Sequence, residues 1–174
     1  MFAGLTVEDA MAMARRRAEE IMEQGKRLPG YTLSSTAEMQ ECIMLVAAGL
    51  VTDIEVIQFS DIDLSEVTSQ QMNLLLGVVT RRVVLVDIKL SASQTEAVFS
   101  SMSRLSVCIV LYDGVEIDVA AATEALRGIT GRVRGKLILF YGDSQDKYKQ
   151  GMEQWVAVLG WRYQDGDQFT VICA

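Results

Sequence analysis

The sequence of 174 residues contains no histidine. A Ser/His/Asp or Cys/His relay is therefore excluded, and so is a zinc centre built on histidine ligands. Cysteine is scarce as well. Cys42, Cys108 and Cys173 stand singly in the apolar contexts "ECIML", "SVCIVL" and "TVICA", with no C-x-x-C spacing. Such thiols read as buried and unligated, and an odd number suits a reducing compartment. Positive charge is in the minority, with 16 basic against 23 acidic side chains, a net charge of −7 and a pI near 4.6. Sequence-independent nucleic-acid binding needs clustered positive charge and is not expected. No apolar run approaches the roughly 18 residues of a membrane span, and "MFAGLTVEDAMAMARRRAEE" lacks the charged start and continuous apolar stretch of a signal peptide. The expectation is a cytoplasmic protein with no membrane and no nucleic acid among its partners.

What is present is hydrophobic residues, half of the chain, in an ordered pattern. Thr6 can cap a first helix, with Glu8 and Asp9 in its first turn and Gly25, Pro29 and Gly30 marking its end. Met11, Ala14, Ala18, Ile21 and Met22 share one face of it, and Arg15–Arg17 fall on the solvated side among Glu19, Glu20 and Glu23. "YTLSS" (31–35) reads as linker, and Ser35 or Thr36 opens a second helix ending near Gly49. Five strand-like runs follow: "DIEVIQF" (53–59), "RVVLVDIKL" (82–90), "SVCIVLY" (106–112), "KLILFYG" (136–142) and "QFTVICA" (168–174). Their near-continuous apolarity is that of parallel strands covered on both faces. Amphipathic segments lie between them, with start signals at Ser69, Ser91 or Ser93, Asp118, and Asp143 or Ser144. Thr95-Glu96 and Thr123-Glu124 hold comparable places in their units. The strand centres recur with near-constant spacing, as the units of a stacked array do. The chain reads as one domain, 1–174, with an N-terminal helix and linker (1–35) and a β-α repeat region (36–174).

These units resemble leucine-rich repeats of the ribonuclease-inhibitor type. In "IEVIQFSDIDLSEVTSQQMNLLLGVV", Ile54, Ile57, Phe59, Ile62 and Leu64 follow the L-x-x-L-x-L-x-x-N-x-L spacing, although Ile62 stands where that family has Asn or Cys. The resemblance implies an α/β fold: a short solenoid with a parallel sheet, an outer helical layer and N-terminal capping helices. An ordinary three-layer α/β domain is the alternative. The last strand, "FTVICA", would leave an edge through which oligomers could form unless the helix carrying Trp155 and Trp161, or a partner, shields it.

Acids follow the strands in series: Asp61 and Asp63 in "QFSDIDLS", Asp87 in "LVDIK", Asp113 in "LYDGVEID" and Asp143 in "FYGDSQD". Ligands of open α/β sheets bind at such strand ends, and oxygen ligands gathered there could hold Mg²⁺. Short acids also favour turns and helix starts, and aligned on a surface they attract a basic partner. "SDIDLS" resembles the D-x-D-x-[TV] start of haloacid-dehalogenase-like phosphohydrolases. That resemblance implies Asp61 as nucleophile and Asp63 as general acid, but the lysine and paired-acid motifs of that family are not recognisable. "GRVRGK" (131–136) precedes a strand and is a solvated turn, not a phosphate loop. The function expected is a protein–protein interaction module without catalysis, cofactor or metal, whose partner is a protein with a basic surface. The five acids are its candidate binding residues. A small Mg²⁺-dependent phosphoryl-transfer enzyme is the alternative.

Overall fold

A computed structural model describes residues 6–112, 114–140, 146–166 and 169–173. Helices and strands alternate: α1 (Val7–Glu23), β1 (Arg27–Leu33), α2 (Thr36–Ala47), β2 (Asp53–Ser60), α3 (Ser69–Leu76), β3 (Val79–Val86), α4 (Ala92–Ser100), β4 (Cys108–Leu111), α5 (Val119–Ile129), β5 (Lys136–Phe140), α6 (Asp146–Leu159), β6 (Arg162–Asp165) and β7 (Phe169–Cys173). The start signals act as expected except at α3, where Thr68, not Ser69, is the cap and Ser69 is the first helical residue. Thr6, Ser35, Thr68, Ser91 and Asp118 each accept a backbone N–H through the side chain, and Thr6, Thr68 and Ser91 complete capping boxes with Asp9, Gln71 and Gln94. The expected start of the helix after β5, at Asp143 or Ser144, lies outside the described residues.

The seven strands form one sheet in the order β1-β2-β3-β4-β5-β7-β6. β1 to β5 are parallel and adjacent in chain order, whereas β7 pairs antiparallel with both β5 and β6. Along the parallel part the register advances by a nearly constant step. Gly30 lies beside Val56, Val56 beside Arg82 and Arg82 beside Cys108, each 26 residues on, and Cys108 lies beside Lys136, 28 residues on.

Three expectations change. The linker at 31–35 is largely strand β1. Pro29 gives up one N–H there, which an edge strand tolerates. The C-terminal strand is antiparallel and is not an edge, because the short connection from β6 returns as a hairpin and places β7 between β5 and β6. The edge at that end is β6, whose four residues, Arg162, Tyr163, Gln164 and Asp165, are all exposed. Finally, among the described residues helices cover the strands on one face only. α2 packs on α3, α3 on α4, α4 on α5 and α5 on α6 in a single layer. A sheet that grows strand by strand in one direction, with every crossover of the same hand, keeps its helices on one side.

The core fills the space between that layer and the sheet. Met39, Met72, Phe99, Leu126 and Trp155 descend from the helices onto Ile57, Val83, Ile109, Leu137 and Ile172. Three buried polar side chains stitch neighbouring units together. Gln94 Nε2 donates to the carbonyl oxygens of Leu64 and Val67 at 2.7 and 2.8 Å. Thr95 Oγ1 accepts from the Asp118 N–H at 3.2 Å, and Thr123 Oγ1 accepts from Trp155 Nε1 at 3.0 Å. Trp155 and Trp161 are both buried, as expected of core residues. At the other end of the sheet, α1 sets Ile21 into the core and Arg17 over the ring of Tyr31, 5.1 Å from its centroid. Among the described residues, no helix is long and apolar enough to cross a membrane.

Candidate functional site

The face of the sheet turned away from the helices is the most distinctive surface. Alternate residues of β2 to β5 point to it and fall into rows by register. Val56, Arg82, Cys108 and Lys136 form the first row, toward the strand N-termini. Gln58, Val84, Val110 and Ile138 form the second. Val86 and Phe140, on either side of Tyr112, lie in the third. Val84, Cys108 and Val110 are buried in a cluster separate from the main core, with Val56, Val86, Val107, Ile138 and Phe140 packed on them. Every one of these residues belongs to a strand or its immediate approach, and among the described residues no helical one joins them. The result is a shallow groove of about 320 Å³ with an apolar floor. At its far end the rings of Tyr112 and Phe140 stack at 4.8 Å, inclined by 8°.

The charges of this face are segregated. Arg82 and Lys136 flank Cys108 on neighbouring strands. Burial pushes the Cys108 thiol up, against the opposing pull of Arg82, its hydrogen-bond partner, and of Lys136. Among the described residues neither cation is in an ion pair, whereas Arg27 and Arg81 are matched with Asp53 and Glu55. At the opposite end Asp61 and Asp87 succeed Ser60 and Val86, which are register partners. The Asp61 N–H donates to the Val86 carbonyl at 3.0 Å. Both aspartates adopt the left-handed conformation, with φ of 48° and 47°. Short polar residues enter that region more readily than other L-residues.

Of the sequence-predicted acids that are described, Asp61 and Asp87 share a strand-end ridge, and none of the described ones lines the groove. Asp61 and Asp87 are exposed neighbours on that ridge. Asp63 lies beyond it in a turn, where its Oδ1 accepts from the Ser65 N–H at 2.9 Å and this bond holds its carboxyl below the ordinary aspartate value. Asp113 and Asp143 lie outside the described residues. Next to Asp113, Gly114 has φ of 89°, and a Cβ built on it would collide with Asp87 Oδ1, so consecutive turns nest closely. Among the described residues, no three acids or cysteines are grouped as a metal would require. "GRVRG" (131–135) is a turn as expected, with Gly131 at φ 86° and Arg132 Nη2 donating to the Gly128 carbonyl at 2.8 Å, but Lys136, expected in that turn, opens strand β5.

Sequence reasoning missed Arg82 and Lys136. The signal was there, since Arg82 directly precedes the apolar run "VVLV" and Lys136 the run "LILF", and both flank Cys108 in register. Comparison of the chain with protein-family models, with curated proteins and with solved structures finds no match.

Proposed function

We propose that the protein is a binding module without catalysis, and that its helix-free sheet face receives a segment of another protein. The single observation that carries this reading is an apolar groove with two cations at one end and the stacked Tyr112 and Phe140 rings at the other, with Asp61 and Asp87 beyond it at the ends of β2 and β3. Interaction surfaces combine a desolvated apolar centre with a polar rim in this way. From the level of Val56 and Arg82 to that of Asp61 is five residues along a strand, about 16 Å. A partner segment of about five extended or eleven helical residues spans that length. Its chemistry is set by the rim: apolar side chains for Val84, Val110 and Ile138, an acid for Arg82 and Lys136, and a base for Asp61 and Asp87. The basic partner expected from the acids alone becomes a bipolar one.

The nearly constant register step supports reading the parallel strands as a short solenoid of the leucine-rich-repeat kind, with the helix-free face as the equivalent of that family's inner surface. Selection of random displayed peptides on the folded chain tests the proposal. Recovered peptides are expected to carry an acid and a base on opposite sides of an apolar centre, and to lose binding to the Ile138→Lys variant. Peptides that bind the Ile138→Lys variant as well as the original chain would refute the sheet face as their site.

A further inference from the structure

Helix α1 carries an apolar stripe of which the described residues of the rest of the chain cover only the C-terminal end. Val7, Met11, Ala14, Ala18 and Ile21 follow one another at steps of four and three residues, the spacing of a seam between two helices. Only Ile21, at the C-terminal end, is buried, while Val7 and Met11 are 78% and 54% exposed. Arg17 over Tyr31 fixes the same end of the helix to the body. The preceding residues from Val7 to Arg16 are exposed wherever their side chains are described. Glu8 and Arg15 border the stripe on one side, one heptad apart.

We propose that α1 pairs antiparallel with α1 of a second copy of this chain. In the register that opposes Val7 to Ala18 and Met11 to Ala14 of the second copy, every layer of the seam joins a large residue to an alanine. The same register brings Glu8 beside Arg15 of the second copy, and two-fold symmetry repeats the pair. A parallel pair has neither property. It stacks Met11 on Met11 and Ala14 on Ala14, leaves Glu8 and Arg15 without opposite charges across the seam, and crowds both folded bodies at one end. The antiparallel pair separates the two Ile21 anchors by about 25 Å along the helices, at 1.5 Å per residue.

Sedimentation equilibrium of the full chain, with four variants, tests this. The original chain is expected to dimerise, and Ala14→Glu, which sets like charges against the seam, to weaken the dimer by at least about tenfold. Glu8→Arg and Arg15→Glu alone should each weaken it, and the double variant should regain most of the loss. Ala14 is exposed and glutamate is a good helix former, so far-ultraviolet dichroism and melting of the body should not change. A chain that stays monomeric across the concentration range would overturn the proposal. So would a dimer indifferent to Ala14→Glu, or a double charge reversal that recovers nothing.

Discussion

Gln94 and Leu64 are 30 residues apart, yet Gln94 Nε2 donates to the Leu64 carbonyl at 2.7 Å in a fully buried contact. The same amide donates to Val67, and its Oε1 accepts from the Ser91 N–H at 3.0 Å. One side chain thus caps α4 and satisfies two carbonyls of the loop that follows β2. Glutamine can do this because its amide offers donors and an acceptor at once.

Replacing Gln94 by Met keeps the length and removes the donors. Two buried carbonyls then lose their partners, and the expected cost is about 2–4 kcal/mol. For a chain of this size, that lowers the melting temperature by about 5–12 °C. Urea unfolding measures it, and a cost below about 0.5 kcal/mol would show that water or repacking replaces these bonds.

Gly114 and Asp87 form a second testable pair. Gly114→Ala meets both an unfavourable φ of 89° and the Asp87 carboxylate, so a loss of about 1–3 kcal/mol is expected. Asp87→Gly suits the left-handed backbone at 87 and removes the colliding oxygen. In a double-mutant cycle the second substitution should therefore relieve part of the first. Strict additivity would locate the whole cost of Gly114→Ala in its backbone.

Much of this architecture was legible in the residues. The helix starts could be read because Ser, Thr and Asp caps act within one turn, and four of the strand-like runs, at β2, β4, β5 and β7, match closely because Val and Ile cluster there. Thr95 and Thr123, singled out by position alone, are the buried residues that accept hydrogen bonds from the following units. Strand β1 was hidden because "RLPGYTL" contains both proline and glycine, and its strand state comes from pairing with β2. The antiparallel β7 and the bare face were hidden for a similar reason. Apolar strands look alike whatever covers them, and strand order is a long-range property.

The acids lead to a prediction about metal. The turn at Asp61 uses a left-handed backbone that asparagine also adopts, and the Asp63 carboxylate is engaged by Ser65. Asp61→Asn should change stability by less than about 0.5 kcal/mol. Titration with Mg²⁺ should give no saturable rise in melting temperature. A saturable rise abolished by Asp61→Asn would instead establish a metal site at the strand ends and favour phosphoryl transfer.

The thiols give a pH dependence. Burial pushes Cys42 up to about 12 from its ordinary value of 9.0. A thiol whose value is raised by folding contributes fully while both states hold the proton, below about pH 9. Its contribution declines as pH rises toward 12, because the unfolded chain ionises first. Stability of the original chain should therefore fall more steeply on the alkaline side than that of Cys42→Ala, by up to about 1.4 kcal/mol per pH unit. Parallel alkaline slopes in the two proteins would refute this.

The central claim is that the helix-free sheet face binds a bipolar protein segment. Its most direct test is calorimetric titration of a selected peptide with the original chain, with Arg82→Glu/Lys136→Glu and with Met44→Lys on the helix layer. Arg82, Lys136 and Met44 are all exposed, so each protein should fold normally. The account predicts that the double reversal weakens binding by at least about tenfold, equivalent to about 1.4 kcal/mol, and that Met44→Lys leaves it unchanged. Equal affinity for the double reversal and the original chain, or loss with Met44→Lys alone, would contradict it.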